Sequence, residues 1–183
     1  LRKFGRVNLS LLAPVVRDVA RALAYLHGRR IVHRDVKPGN VVVQPDLPDG
    51  APIDVKTWAQ AEIVRGVLID FGIATEVSQV GAHEGVTGTP GYIAPEIARG
   101  LGLVGPAMDV YSLAVVVFEM LTGSNPFLEG QSELAAVLVR HGSMSLPWQR
   151  LPSEAGRPEL IQLLADATRL DPRQRPSMRD FLT

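Results

Sequence analysis

Apolar residues in the first part of the chain recur at spacings of three and four, the period of a helix with one buried face. These positions are Leu12, Val15, Val16, Val19, Leu23 and Leu26. The pattern predicts a helix from Ser10 to His27, because Gly28 then follows as a stop signal. Residues 107–121 are instead apolar nearly all round, which indicates a helix buried at the centre of a larger helical body.

Two short β-branched runs, Val41–Val43 and Val67–Ile69, interrupt the helical pattern and predict two small strands that form a hairpin. Residues 72–91 show little periodicity and many Gly and Thr residues, which indicates a mobile loop. Near the end of the chain, Pro158 and Pro176 mark the first turns of further helices. The predicted fold class is therefore mainly α with a small β-hairpin.

The composition is that of one soluble globular domain, with 183 residues, 46% hydrophobic and 21% charged. The 19 basic residues balance the 19 acidic ones, so the charge indicates no nucleic-acid partner. The chain has no cysteine, which excludes disulfides, thiolate metal sites and a cysteine nucleophile. Because this composition fits a reducing compartment, we expect a cytoplasmic location.

The most apolar run, Leu113–Phe118, is too short to cross a bilayer, which takes about 20 residues. We therefore expect no membrane segment in this chain. No basic and then apolar signal segment opens the sequence, and its first residue is Leu. The expectation is that the chain was cut from a longer protein.

Several short polar motifs follow one another in a particular order. The order is His33-Arg34-Asp35, Lys37, Asn40, a strand, Asp70-Phe71-Gly72 and then GTPGYIAPE from Gly88 to Glu96. The tripeptide Asp70-Phe71-Gly72 alone would be a weak signal, because any tripeptide occurs by chance. The ordered series resembles the protein kinase family, specifically its larger C-terminal lobe, and the resemblance runs from the first helix to the end of the chain.

The resemblance implies a role in phosphoryl transfer for each polar residue of the series. Asp35 matches the catalytic Asp that accepts or orients the proton of the substrate hydroxyl, and Lys37 matches a cation beside the transferred phosphate. Asn40 and Asp70 match the ligands of Mg²⁺, a hard ion that prefers oxygen donors. Val42 matches the apolar floor under the adenine of ATP, although ordinary strand core describes it nearly as well.

Other matched positions imply supporting contacts. In the family the residue at His33 packs beneath the Phe of the Asp-Phe-Gly motif, here Phe71, so we interpret His33 as structural rather than as the base. Asp109 is a carboxylate on an apolar helix, and the resemblance supplies hydrogen-bond donors for it in the backbone of the catalytic loop. Glu96 and Arg175 resemble the family's buried ion pair, with two unrelated surface charges as the alternative.

The activation loop carries a separate expectation. In the family the Arg that matches Arg34 usually contacts a phosphorylated residue of this loop. Here Glu84 offers a permanent negative charge near the usual acceptor position, and Thr87 is the competing acceptor. Our hypothesis is that the Glu84 carboxylate forms an ion pair with Arg34.

The sequence departs from the family in two places. A complete kinase also needs a glycine-rich strand-turn-strand over the phosphates, a strand Lys and a helix Glu. Too few residues precede Ser10 to form that smaller lobe, so we expect the N-terminal lobe to be absent here. Either it lies upstream in the parent chain or it does not exist. An insertion of about residues 45–63 separates the two strands, and it is either a tolerated surface loop or a carrier of contacts.

The leading hypothesis is the catalytic lobe of a serine/threonine protein kinase that uses ATP and Mg²⁺. Lys37 and Thr89 resemble the serine/threonine branch, and the GTPGYIAPE segment favours a protein substrate. A pseudokinase or scaffold that uses the fold for binding is the competing class. A small-molecule kinase that shares the fold is a weaker third alternative.

Overall fold

Five α-helices and four strands lie within the residues that the computed structural model describes, which are 6–45, 64–76, 87–155 and 157–182. The helices are α1 (Leu9–His27), α2 (Pro95–Ala98), α3 (Pro106–Thr122), α4 (Leu134–Ser143) and α5 (Pro158–Ala167). The strands are β1 (Ile31–Val32), β2 (Val41–Pro45), β3 (Val64–Leu68) and β4 (Thr75–Glu76). The predicted class, mainly helical with small sheets, is confirmed for these residues.

Helix α1 begins one residue before the predicted start because Asn8 caps it. The Asn8 side chain accepts a hydrogen bond from the Leu11 amide at 2.9 Å, which satisfies one of the unpaired donors of the first turn. The buried face consists of Leu12, Val15, Val19, Ala20 and Leu23. The predicted periodicity therefore identifies the face that packs against the core.

Helix α3 is the central element of the fold. Pro106 occupies its first turn, and Gly123, with φ 83°, ends it in the left-handed conformation that glycine adopts without strain. Its buried side chains cover all faces, from Met108 to Leu121, as the all-round apolar pattern predicts. The core forms around this helix, with α1 and α5 among its neighbours.

Strands β2 and β3 form the predicted hairpin, with Val41 opposite Leu68 and Val42 opposite Val67. Strand β2 continues past the predicted Val43 to Pro45, and β3 begins at Val64, before the predicted Val67. Strand β3 ends at Leu68 rather than Ile69. Strand β3 packs closely on α1. A Cβ at Gly66 would lie 2.6 Å from the Val15 carbonyl oxygen, so this close approach requires glycine.

Strands β1 and β4 form a second antiparallel pair, with Val32 opposite Thr75, which the sequence did not predict. The prediction that residues 72–91 form only a mobile loop is therefore wrong at Thr75–Glu76. Two-residue strands are too short to show periodicity in the sequence. They are recognised only from their pairing in the folded chain.

The C-terminal predictions are half correct. Pro158 stands in the first turn of α5, as predicted. A helix also follows Pro176, but it is the short 3₁₀ helix Met178–Leu182, and Pro176 lies two residues before it rather than in its first turn. No helix in the described part of the chain is long and apolar enough to cross a membrane. The insertion and Glu84 lie outside the described residues, apart from Pro45, which ends β2.

Candidate active site

The loop between β1 and β2 is anchored from behind by Asp109, in the first turn of α3. One oxygen of its carboxylate accepts the Arg34 amide at 2.9 Å. The other oxygen accepts the His33 amide at 2.9 Å and lies 2.8 Å from His27 Nε2. These partners offset the cost of a fully buried carboxylate. The expected donors for Asp109 are therefore present, and His27 adds one that was not expected.

Arg34 and Asp70 adopt the left-handed backbone conformation, with φ values of 70° and 64°. Residues other than glycine rarely adopt it, and the cost is on the order of 1–3 kcal/mol for each. The Asp109 carboxylate binds the Arg34 amide and so stabilises the first of these turns. The first turn immediately precedes Asp35, and the second is at Asp70 itself.

The Asp35 carboxylate is the centre of a hydrogen-bonded cluster. One oxygen accepts Lys37 Nζ at 2.6 Å and Asn40 Nδ2 at 3.0 Å. The other accepts the Thr89 hydroxyl at 2.6 Å. Lys37 Nζ also donates to the same hydroxyl at 2.9 Å. Three predicted site residues and Thr89 therefore meet around one carboxylate, although Thr89 lies 54 positions further along the chain.

These neighbours keep Asp35 ionised. Burial by itself raises the pKa of the carboxyl, but hydrogen bonds from Lys37, Thr89 and Asn40, together with the charge of Lys37, outweigh it. The pKa of Asp35 therefore lies below its ordinary value. An ionised carboxylate is the form that accepts a proton or a hydrogen bond from an incoming hydroxyl.

The hairpin brings Asn40 and Asp70 together, because Asn40 immediately precedes β2 and Asp70 comes two residues after β3. The Ile69 amide donates to the Asn40 carbonyl at 2.9 Å and so extends the pairing of the strands. Asn40 Nδ2 donates to the Asp35 carbonyl at 2.9 Å and to its carboxylate, which leaves the amide oxygen as the atom able to bind a metal. Asp70 is exposed, and one of its oxygens accepts the Gly72 amide at 3.3 Å.

This donor set fits Mg²⁺, which is usually held by one or two carboxylates together with phosphate and water oxygens. Within the described residues, no cluster of three or more His, Asp or Glu side chains could hold a metal by itself. A magnesium ion at Asn40 and Asp70 would therefore also need oxygens from its nucleotide and from water.

A glutamate and an arginine outside the Asp35 cluster form a buried ion pair. Arg175 donates to the two carboxylate oxygens of Glu96 at 2.8 and 2.7 Å, and both side chains are almost fully buried. The Arg175 guanidinium also donates to the carbonyls of Ala107 and Arg169. The predicted pair is thus confirmed, and it connects α2 to the segment that follows α5.

A model of the protein kinase domain matches residues 2–183. The chain belongs to the protein kinase family. It is 38% identical over 156 residues to the serine/threonine-protein kinase PkaB of Streptomyces coelicolor, which covers 84% of this chain and 34% of that protein. It is 41% identical over 137 residues to PknF of Mycobacterium tuberculosis, covering 73% of this chain and 25% of PknF.

Human calcium/calmodulin-dependent protein kinase type IV is 36% identical to the chain over 121 residues, which are 66% of this chain and 22% of the relative. The chain thus spans about a third or less of the length of these relatives. All three carry the name of a protein kinase, and the two bacterial ones are named as serine/threonine kinases.

The expected packing of His33 against the Phe of the Asp-Phe-Gly motif is present in the structure. The His33 ring is fully buried and lies 5.0 Å from the half-exposed Phe71 ring in an edge-on arrangement. Its Nε2 lies 3.2 Å from the Ile69 carbonyl. His33 therefore packs as a structural residue, as expected, and Asp35 carries the acceptor role in our interpretation.

Val42 lies on the exposed face of β2, between the buried Val41 and Val43. Its side chain is 41% exposed and is therefore available to a ligand. The role of Val42 as the adenine floor stays a prediction.

The loop after Thr89 is held by polar residues that sequence reasoning missed. The Tyr92 hydroxyl donates to Glu119 at 2.6 Å, and Asn125 Nδ2 donates to the Gly91 carbonyl at 3.0 Å. The Ser112 hydroxyl donates to the Tyr92 carbonyl at 2.7 Å. Ser112 and Glu119 are, like Asp109, polar positions on the mostly apolar helix α3, and that signal could have indicated a contact.

Gly100–Gly105 reads Gly-x-Gly-x-x-Gly, a pattern typical of phosphate-binding loops. In this structure the segment connects α2 to α3 and is not flanked by strands. It lines a surface cavity together with Leu170 and Arg173. Because the strand-turn-strand context is missing, we do not assign it the role of the loop that covers the phosphates of ATP in kinases.

Proposed function

We propose that this chain is the larger, C-terminal lobe of a serine/threonine protein kinase, which transfers the γ-phosphoryl group of ATP to Ser or Thr hydroxyls of a protein substrate. The observation that carries this proposal is the cluster in which Asp35 accepts hydrogen bonds from Lys37, Asn40 and Thr89. Asp70 follows the paired strand beside this cluster.

Each side chain of the cluster has a distinct task in the proposed reaction. Asp35, kept ionised by its neighbours, orients the substrate hydroxyl and accepts its proton. Lys37 is hydrogen-bonded to Asp35 and places a positive charge beside the group being transferred. Thr89 bonds to both residues and so fixes their separation.

Asn40 and Asp70 are the proposed magnesium ligands, and Val42 is the proposed floor for adenine. Magnesium, when bound, neutralises the developing charge on the phosphoryl oxygens. The chain's own residues orient the nucleotide: the hairpin fixes the separation of Asn40 and Asp70, and β2 presents Val42 on its exposed face. The exposed Asp70 is open to ligands from outside the lobe.

We further propose that a smaller N-terminal lobe, upstream in the parent chain, supplies the cover over the phosphates and the Lys that contacts them. Phosphoryl transfer depends mainly on positioning and charge, so half of the nucleotide cleft is insufficient. The proposed partners are therefore ATP, a protein substrate and this second lobe, and the proposed location is the cytoplasm.

The decisive experiment compares Asp35→Asn and Asp70→Asn in the full-length parent protein. Each substitution preserves side-chain volume but removes the base or a metal ligand, so we expect phosphotransfer from ATP to fall by about 10²–10⁴-fold. The matched control is Asp166→Asn, a partly exposed Asp in a surface pair. Activity near wild type in either site variant contradicts the proposal.

A wild-type protein that binds ATP and Mg²⁺ but transfers no phosphate would instead support the alternative of a pseudokinase or scaffold.

A further inference from the structure

The outer face of α1 and the residues just after it carry three arginines that take no part in the proposed reaction. Arg17, Arg21 and Tyr25 follow one another at intervals of four residues, and all three are exposed. Arg29, just beyond the helix, places its guanidinium carbon 3.6 Å from the centre of the Tyr25 ring. We call these four residues the α1 arginine stripe.

The stripe belongs to a strongly uneven charge distribution. The first 34 residues contain eight of the 19 basic residues and one of the 19 acidic residues of a chain with zero net charge. That single acid, Asp18, lies 3.7 Å from Arg21 and also accepts the Gly66 amide at 3.1 Å. Among the described residues, the ion pair of Arg21 with Asp18 leaves the three exposed guanidinium groups of the stripe with a net positive potential.

The residue types of the stripe are those of protein interfaces rather than of a solvated surface. Arg and Tyr are enriched in protein interfaces, whereas Lys and Glu are depleted there. The stacking of Arg29 on Tyr25 restricts both side chains and so lowers the entropy that binding would cost. Tyr25, with 60% of its surface exposed, offers a large apolar anchor between the charges.

The spacing of the stripe matches an extended chain. Residues four apart on a helix are separated by about 6 Å along its axis. Alternate residues of an extended strand point to the same side and lie about 6.6 Å apart. An extended peptide with Asp or Glu at alternate positions can therefore bring one carboxylate to each of several successive positions of the stripe.

From this charge complementarity and spacing, we propose that the α1 arginine stripe is a docking surface for an extended acidic segment of a partner protein. A lipid surface is a poorer match, because peripheral helices bind membranes with broad basic faces and a buried apolar side. The α1 arginine stripe is instead narrow, and its one aromatic residue, Tyr25, lies between Arg21 and Arg29.

The test measures binding by the full-length protein of a fluorescently labelled ten-residue peptide, in which Glu and Thr alternate. The control peptide has the same composition, with five Glu residues followed by five Thr residues. We expect saturable binding of the alternating peptide that weakens with added salt and exceeds binding of the control peptide.

The variant R17Q/R21Q/R29Q should lose at least about tenfold in affinity for the alternating peptide, because three charge pairs are removed. These positions are exposed, so the melting temperature should stay close to that of the wild type, which circular dichroism checks.

The matched control, R150Q/R157Q/R173Q, removes three exposed arginines elsewhere and should keep affinity within about twofold. An equal loss in both triple variants would show non-specific charge attraction and would overturn the proposal. Absence of peptide binding also overturns it. Stripe-dependent binding to phosphatidylserine vesicles without peptide binding would assign the surface to a membrane instead.

Discussion

At the scale of single residues, the Thr89 hydroxyl has an unusual position. It donates to the Asp35 carboxylate at 2.6 Å and accepts from Lys37 at 2.9 Å, so it bridges the two proposed catalytic groups. Without it, a partly buried carboxylate and a partly buried ammonium would each lose a neutral partner. Such charge-assisted hydrogen bonds are worth more than neutral ones.

Thr89→Val should therefore lower kcat by about tenfold or more while the protein stays folded, because the isosteric side chain lacks the bridging hydroxyl. Thr89→Ser, which keeps the hydroxyl, should retain most activity. Steady-state kinetics with a peptide substrate measures both. Equal activities of the Val and Ser variants would show that the bridge has no catalytic importance.

His141 on α4 is the second residue with a testable property. Its ring is fully buried, stacks on Phe127 with 3.9 Å between ring centres, and has Nδ1 2.8 Å from the Tyr111 hydroxyl. Burial lowers the pKa of His141 to about 4, because the charged form loses its hydration. In the folded protein the ring is therefore neutral at pH 7.

The depressed pKa predicts loss of stability in acid. The unfolded His141 binds its proton near pH 6.5, whereas the folded one binds it only near pH 4. As pH falls between these values the unfolded state binds more protons, so the free energy of unfolding should fall by about 3 kcal/mol.

Urea unfolding at several pH values, for wild type and His141→Gln, isolates this contribution. The Gln variant, which cannot titrate, should be less stable at pH 7 but should lose less stability on acidification. A pH dependence identical to that of the wild type would exclude His141 as the cause.

At the scale of elements, the Glu96–Arg175 pair joins two segments that lie 79 positions apart. Its two carboxylate contacts and the two carbonyl contacts of Arg175 satisfy most of the polar atoms of the pair in the interior. Such a pair contributes little net stability, but removal of one partner leaves a buried charge without compensation. The pair therefore specifies how α2 meets the C-terminal segment.

Glu96→Gln should lower the free energy of unfolding by about 3–5 kcal/mol, because Arg175 stays charged in the interior. The exposed pair of Arg150 and Glu129 offers the control, and Arg150→Gln should cost only about 0–1 kcal/mol. Urea denaturation of both variants measures the difference. Similar small losses in the two variants would show that water reaches the Glu96 position.

At the scale of the whole molecule, the described residues form one core around α3, and the proposed catalytic groups lie on loops anchored to it. The Asp109 carboxylate on α3 holds the backbone of the loop that contains Asp35. In our proposal, the cover over the phosphates and the Lys that contacts them come from a second lobe, so this lobe supplies one side of the nucleotide site.

If a second lobe supplies the donors to the phosphates, as we propose, residues 1–183 expressed alone should bind Mg·ATP poorly and transfer no phosphate. Calorimetric titration with Mg·ATP and an autophosphorylation assay test this, with the full-length parent as the positive control. Circular dichroism establishes whether the isolated lobe is folded. Strong autophosphorylation by the fragment would contradict the proposed need for a second lobe.

The sequence by itself determined the elements and residue types that depend on neighbours along the chain. The period of apolar positions identified α1 and α3, since a helix face is a local property. The ordered motifs led to the family and to Asp35, Lys37 and Asn40 as neighbours, because these three lie within six residues. The order of the motifs also identified Asp70 as a candidate site residue. The pairing of β2 with β3 then placed it beside Asn40.

Only the tertiary structure decided which distant groups meet. The Thr89 bridge, the His27 contact with Asp109 and the Tyr92 contact with Glu119 join residues that are 27–82 positions apart. The β1–β4 pair likewise forms between two-residue segments with no local signal. Such contacts depend on how helices pack around α3, and packing is set by the combined shapes of many side chains rather than by any short stretch of sequence.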